Sequence, residues 1–280
     1  VTGIKIFIDS SKLGEIRKAY DYGLLDGVTT NPSLIRAAVE EEKAKGGNID
    51  IEDYIKKILT LARGLPVSLE VIATDSEQMI MEGRRLFKIF NPVADNVYVK
   101  IPINPSIEEN SNTHFDGLKA IRTLSSDGIP INCTLIFTPE QALLASKAGA
   151  SFVSPFAGRI DDLIRSQNNI TFKKSDYFPA SGEEKDGNIL EDNGIVSGID
   201  LIVQIREIFD NYGISGTKVL AASIRNARQA REAALAGADI ATLPVSVIEE
   251  LLLHLKTMEG MKGFINDIVP EYRDLLSDDQ

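Results

Sequence analysis

The chain has 280 residues, 43% of them hydrophobic and 25% charged, and carries a formal net charge of −11. That length fits two ordinary domains or one large α/β barrel, and the composition is that of a globular protein with a sizeable core. The acidic balance argues against a broad nucleic-acid surface, and no apolar run approaches the roughly 18 residues that a membrane span needs.

One cysteine, Cys133, leaves no internal disulfide and fits a reducing cytosol, so a cytoplasmic location is expected. Val1–Asp9 is too short, and too soon followed by charge, for a secretory signal. The two histidines, His114 and His254, lie far apart and outside any ligand-spaced cluster, so no metal site is expected.

In chain order a short β-branched run alternates with an amphipathic helix, the pattern of a parallel sheet with helical crossovers. Strand Ile4–Asp9 leads to helix Leu13–Tyr22. Strand Gly27–Asn31 leads, through a charged, Gly-rich loop Glu40–Asn48, to helix Ile51–Leu61. Strand Val67–Ile72 precedes helix Ser76–Phe90. Strand Val97–Ile103 precedes a polar loop, Asn104–Thr113, and helix Phe115–Leu124. Strand Pro130–Phe137 precedes helix Pro139–Ala148. Strand Phe152–Phe156 is followed by the longest polar stretch, Asp161–Gly198, and then by helix Ile199–Asn211. Strand Lys218–Ile224 with helix Ala227–Ala236, and strand Asp239–Leu243 with helix Val245–Leu255, complete eight units. Met258–Ile268 has no strand partner and is expected to be an extra C-terminal helix. Eight βα units suit a closed (β/α)8 TIM barrel spanning residues 1–280 as one domain, with an insertion at about 161–198. A dinucleotide-binding sheet would place G-x-G-x-x-G after its first strand. Here that strand ends Asp9-Ser10-Ser11, which reads as a helix N-cap, and no Walker-type loop follows any strand.

Barrel active sites sit at the C-terminal ends of the strands, and strand parity says which side chains face inward. In the fourth strand Val97, Val99 and Ile101 form the outward apolar set, so Tyr98 and Lys100 face in. A lysine there is costly to bury as a cation. Polar residues converge on the same end: Asp9, Asn31, Glu70 in register with Ser68, Asn132 with Thr134, Ser154 with Phe156, then Arg159, Ser223 and Arg225. Each alone has a plain structural explanation; one polar group per strand end does not. At the ordinary lysine pKa of about 10.4, roughly one molecule in 2,500 is neutral at pH 7. Burial would raise that fraction, whereas Asp9 and Glu70 would lower it, so sequence leaves the resting charge open. Lys5 faces inward at the opposite end, and Lys218 begins its strand; neither competes with Lys100 as nucleophile.

Five blocks then carry a resemblance: Gly27-Val28-Thr29-Thr30-Asn31-Pro32-Ser33, Val99-Lys100-Ile101-Pro102, Asn132-Cys133-Thr134-Leu135-Ile136-Phe137, Ser154-Pro155-Phe156-Ala157-Gly158-Arg159 and Ala221-Ala222-Ser223-Ile224-Arg225. Together they make the chain resemble the transaldolase family in its short, bacterial-type branch, related to fructose-6-phosphate aldolase. The resemblance implies a cofactor-free, cytoplasmic enzyme of the pentose phosphate pathway. It would move a dihydroxyacetone unit from sedoheptulose 7-phosphate or fructose 6-phosphate to an aldose phosphate. On that resemblance Lys100 forms the Schiff base, Asp9 moves the carbon-4 hydroxyl proton, and Glu70 with Thr134 holds the water lost and regained. Asn31, Asn132 and Ser154 bind the dihydroxyacetone portion, Phe156 lines the site, and Arg159, Arg225 and Ser223 grip the phosphate. Fructose-6-phosphate aldolases usually carry glutamine at the position of Glu70 and tyrosine at that of Phe156, so the acid and the phenylalanine favour transfer over release of free dihydroxyacetone. A catalytically silent barrel with an assembly role is the reading from another class; the intact polar set argues against it.

The remaining features have blander readings. Cys133 is out of phase with its neighbours and is expected under a helix. Asp161-Asp162 is read as a helix cap or a solvated pair, and Glu40–Glu42 as a solvated helix end. The insertion is either a partial lid over the site or a surface elaboration. The tail face Met261, Phe264, Ile265 and Ile268 either closes the barrel or reaches a neighbour, and by analogy a homo-oligomer is expected.

Overall fold

The computed structural model describes residues 3–46, 49–109 and 111–277, so parts of the predicted loops at Asn48 and Asn110 lie outside it. Eight strands close into a parallel barrel in the order β1 (Lys5–Asp9), β2 (Gly27–Thr29), β3 (Val67–Glu70), β4 (Val97–Pro102), β5 (Ile131–Ile136), β6 (Phe152–Pro155), β9 (Lys218–Ala221) and β10 (Ile240–Leu243). These are the eight predicted strands, each trimmed by one to three residues. Most of the trimmed residues lie at C-terminal ends and begin the βα loops; Ile4, Pro130 and Asp239 are trimmed at the N-terminal ends instead.

Around the barrel run α1 (Leu13–Asp21), α2 (Pro32–Ala44), α3 (Ile51–Leu61), α4 (Ser76–Ala94), α5 (Asp116–Ser126), α6 (Pro139–Ala148), α7 (Ala157–Gln167), α8 (Gly198–Asn211), α9 (Ala227–Leu235) and α10 (Val245–Glu250). Their apolar faces cover the outward residues of the strands: Val97, Val99, Ile101 and Cys133 are all buried in that shell. Burial of Tyr54, Ile55, Ile58 and Leu59 on α3 shows the helical period that the sequence displayed. Burial removes most of the apolar area of such side chains from water, about 1.5–3 kcal/mol for each large one.

Several predicted boundaries move, each for a local reason. The Asp9-Ser10-Ser11 cap does not form. Lys12 occupies the N-cap of α1 with no side-chain bond, while the Ser10 hydroxyl accepts from the Lys12 N–H and donates to Glu15. A helix missed by sequence, α2, begins at Asn31: its side chain accepts from the Leu34 N–H and Pro32 sits in the first turn. It consumes most of the predicted Glu40–Asn48 loop. Helix α4 runs through Pro92 to Ala94, since a proline loses one donor but keeps a helical φ, and Asp95 closes the end in a left-handed conformation.

The insertion is shorter than predicted because α7 takes its first residues. Beyond it lie a two-stranded hairpin, β7 (Glu184–Lys185) with β8 (Asn188–Ile189), and loops anchored on Arg165. That guanidinium pairs with Glu183 at 2.6 Å and donates to the Tyr177 carbonyl at 2.7 Å. Tyr177 in turn donates to Glu232 on α9. At the other end α10 stops at Glu250, and the tail forms α11 (Leu255–Asn266) and α12 (Pro270–Leu276), neither with a buried residue. Met261, Phe264, Ile265 and Ile268 are exposed and do not close their own barrel.

Candidate active site

Inside the barrel, two tiers of side chains stack on the same strands. The lower tier is apolar: Phe7, Phe152, Leu220 and Ile240, with Tyr98 stacked on Phe152 at a ring separation of 4.6 Å. Gly27 belongs to this tier by omission. A Cβ there would stand 2.4 Å from the Phe7 ring, so the aromatic fits only because position 27 has none. Two residues further along each strand, parity brings Asp9, Thr29, Lys100, Ser154, Ala222 and Thr242 to the upper tier. With Asn31, Asn132, Phe156, Arg159, Leu220 and Ser223 they line a cavity of about 100 Å³.

Lys100 is 5% exposed, and its Nζ lies 3.1 Å from Glu70 Oε2 and 3.2 Å from the Thr30 carbonyl, to which it donates. Glu70 and Lys100 face each other directly in the β3–β4 register. Asp9 is held higher than an ordinary aspartate, chiefly by burial; the charge of Lys100 and a hydrogen bond from Thr29 pull partly the other way. The Thr29 hydroxyl donates to Asp9 Oδ1 at 2.7 Å.

The next wall is a chain of neutral donors. Ser154 Oγ donates to Asn132 Oδ1 at 2.7 Å, and Asn132 Nδ2 donates to Ser68 Oγ at 3.0 Å, all three groups buried. Asn132 is thereby fixed in one amide orientation. Thr134, two residues on, has a buried hydroxyl with no hydrogen-bond partner. It precedes a break in the β5–β6 register where Leu135 adopts a φ of +58°. An orphan hydroxyl there has room in its bonding for a water or a substrate atom.

At the rim the Arg159 guanidinium lies 5.0 Å from the Phe156 ring centre and has no carboxylate partner among the described residues. Arg225 is placed differently. Its Nη2 pairs with Asp162 at 2.8 Å and its Nε donates to the Ser223 carbonyl and hydroxyl at 3.2 and 3.3 Å, so it does not line the cavity wall. Gly158 permits this approach: a Cβ there would meet the Ser223 carbonyl at 2.3 Å and Arg225 Nε at 2.5 Å. The Asp161-Asp162 pair is not left to solvent: Asp161 meets the first N–H of α8, as a cap does, and Asp162 is the partner of Arg225. The pair sits inside α7, where Asp162 holds Arg225 and Asp161 is buried, accepting from the Gly198 N–H and from Gln229 at 2.7 Å each. Burial pushes Asp161 up to about 7.

Of the eleven residues singled out from sequence, eight line the cavity: Asp9, Asn31, Lys100, Asn132, Ser154, Phe156, Arg159 and Ser223. Glu70 reaches it through Lys100, while Thr134 and Arg225 stand behind the wall. Thr29 and Thr242 escaped the sequence reading although parity marked both: Thr29 is two residues before Asn31, and Thr242 two after the inward Ile240. No residue from positions 168–197 lines the cavity; that part of the insertion packs against α7 and α9. Among the described residues no group of three or more histidine, cysteine or acidic side chains is placed to hold a metal, and no helix is long and apolar enough to cross a membrane.

This geometry has counterparts of known lineage. The family model described as transaldolase/fructose-6-phosphate aldolase matches residues 6–275. A protein of Chlorobium phaeobacteroides named a probable transaldolase is 44% identical over 264 residues, covering 94% of this chain and 96% of its own. Proteins with the same name from Leptospira biflexa and Nitrosopumilus maritimus are each 41% identical over 94% of this chain, covering 97% and 94% of theirs. With a barrel of this topology and a buried lysine at its mouth, a match of that extent means that the chain belongs to the transaldolase/fructose-6-phosphate aldolase family.

Proposed function

We propose that this protein is a transaldolase: it transfers a dihydroxyacetone unit from a ketose phosphate to an aldose phosphate through a Schiff base on Lys100. The observation that supports this most is the buried Lys100 amine, 3.1 Å from a carboxylate and opening on a cavity it shares with Asp9. An amine attacks only after losing its proton, and Glu70 is the acceptor within reach. The nitrogen then adds to the donor ketone at carbon 2. The carbinolamine hydroxyl leaves as water, protonated by Glu70, and Thr134, whose buried hydroxyl has no partner, is the proposed holder of that water.

The iminium draws the electron pair of the carbon 3–carbon 4 bond as Asp9 takes the proton from the carbon-4 hydroxyl. An aldose phosphate departs and an enamine remains. The acceptor aldehyde takes the same path in reverse, receiving the proton from Asp9. A carboxyl raised by burial suits a proton taken and returned near neutral pH. Asn31, Asn132 and Ser154 present hydrogen-bonding groups to the three-carbon unit, and Arg159 with the free N–H groups of Arg225 grips the phosphate bidentately at the rim. Sedoheptulose 7-phosphate and fructose 6-phosphate are the proposed donors, in the pentose phosphate pathway and the cytoplasm. The exposed apolar face of α11 fits assembly with further copies of the chain; no nucleic-acid or membrane partner is proposed.

Borohydride reduction with fructose 6-phosphate tests the covalent step: an adduct mapped to Lys100 is expected, and Lys100→Met should lower turnover by at least about 10⁴-fold. No adduct on an active-site lysine would end this reading in favour of a silent barrel. Release of free dihydroxyacetone at the same rate with and without erythrose 4-phosphate would make the protein an aldolase instead.

A further inference from the structure

Behind Asp9 the barrel holds two hydroxyls that the proposed chemistry does not use. Thr29 Oγ1 lies 2.7 Å from Asp9 Oδ1 and 2.5 Å from Thr242 Oγ1; the two threonines are 2% and 3% exposed. Both come from strands flanking β1, with Asp9 level with Thr29 in the β1–β2 register and Phe7 level with Thr242 in the β1–β10 register. A hydroxyl has one proton to give. When Asp9 is a carboxylate it can only accept, so Thr29 donates to it and must accept from Thr242. The direction of the whole chain is then fixed by the charge on Asp9.

We propose that Thr29 and Thr242 are positioning residues for the carbon–carbon bond cleavage, aligning Asp9 and favouring its carboxylate form through this one-way chain of donors. The inference rests on the Schiff-base reading and assigns the partners of its proton carrier. In cleavage the carbon-4 hydroxyl proton passes to Asp9 while the carbon 3–carbon 4 electron pair enters the iminium. That proton goes to Oδ2, the oxygen Thr29 leaves free, and Oδ1 becomes a neutral, weaker acceptor, so the support from Thr29 and Thr242 is strongest in the carboxylate form.

The other charged groups around Asp9 are accounted for. Strands β2 and β10 bring none. Lys100 acts from across the barrel with Glu70 bound to it; Arg159 stands at the rim; Arg225 is held by Asp162; and Glu15 on α1 is tied to Ser10. Besides the charge of Lys100, the hydrogen bond from Thr29 is what opposes the desolvation of the carboxylate.

Carboxyl ¹³C NMR of aspartate-labelled protein, with the Asp9 signal assigned by its loss in Asp9→Asn, reads the titration directly and needs no turnover. Thr29→Val, close in shape to threonine, should raise the Asp9 midpoint by about half to one pH unit, the worth of one net hydrogen bond. Thr242→Val should raise it by less, and Thr29→Ser should return it to the wild-type value. In the cleavage assay Thr29→Val should lower kcat about tenfold and leave KM within about twofold. An unmoved midpoint in Thr29→Val, or a Thr29→Ser protein indistinguishable from it, overturns the chain. Failure to trap an adduct at Lys100 in the wild type sinks the Schiff-base reading separately, while the Asp9 midpoint still judges the threonines.

Discussion

The two tiers inside the barrel are built by the same strands, two residues apart, yet their chemistry is opposite. Phe7 lies below Asp9, Tyr98 below Lys100, Phe152 below Ser154, and Ile240 below Thr242. The lower tier seals the barrel with rings and branched chains and has no buried charge. The upper tier concentrates a lysine, two carboxylates and several hydrogen-bonding groups. An apolar floor keeps water from entering from beneath, which strengthens every charge interaction above it. The lesson is a division of labour by depth: stability is stored in one layer and reactivity exposed in the next.

Substitutions in each tier test that division. Asp9→Asn should leave the fold intact and lower kcat by about 10²–10⁴-fold, with the Lys100 adduct still trapped by borohydride. A loss of folding instead would make Asp9 part of the structural layer. In the floor, Phe7→Ala should cost about 3–5 kcal/mol in urea unfolding, because it removes a fully buried ring packed edge-on to Phe152. Turnover per folded molecule should stay within about twofold; a fall like that of Asp9→Asn would show that the tiers are not separable.

A third change probes the buried acid behind the rim. Asp161 rises from an ordinary 3.8 to about 7, so the folded protein keeps a proton that the unfolded chain releases between those values. Stability from this group is full below about pH 4 and is lost as pH rises through about 7. Asp161→Asn loses a hydrogen bond to Gln229 and should lower Tm, yet flatten the decline of Tm between pH 5 and 8 by about 5 °C. An unchanged slope would remove Asp161 from the pH dependence. The smallest effect is expected at Asp162→Asn, which keeps an acceptor for Arg225 but removes the competing charge. KM for phosphorylated donors should fall about threefold, the worth of one partly exposed ion pair, with dihydroxyacetone kinetics unaltered. Equal change with both substrates would place Arg225 outside the phosphate grip.

Much of this was readable in advance because parity is a local property. The alternation Tyr98-Val99-Lys100-Ile101 already separates inside from outside, whatever surrounds it. The same rule would have found Thr29 and Thr242, whose neutral side chains stood out less than a charge does. Helix α2 is hidden because its start signal, Asn31, also ends a predicted strand, and the charged, Gly-rich composition of Glu40–Asn48 reads as a loop. The insertion's place was invisible for another reason. Its anchor, Arg165, reaches Glu183 and the Tyr177 carbonyl across gaps of 18 and 12 residues, and no local pattern announces such a contact.

The sequence by itself determined the eightfold alternation of strand and helix, the inward side of each strand and the lysine at the barrel mouth, since periodicity and residue chemistry travel with the chain. Only the tertiary structure decided that Arg225 is held back by Asp162, that Asp161 is buried, that Thr134 has an unpartnered hydroxyl and that Asp9 is backed by two threonines. Each of those depends on distances between residues far apart in the chain, and closure of the barrel is what sets them.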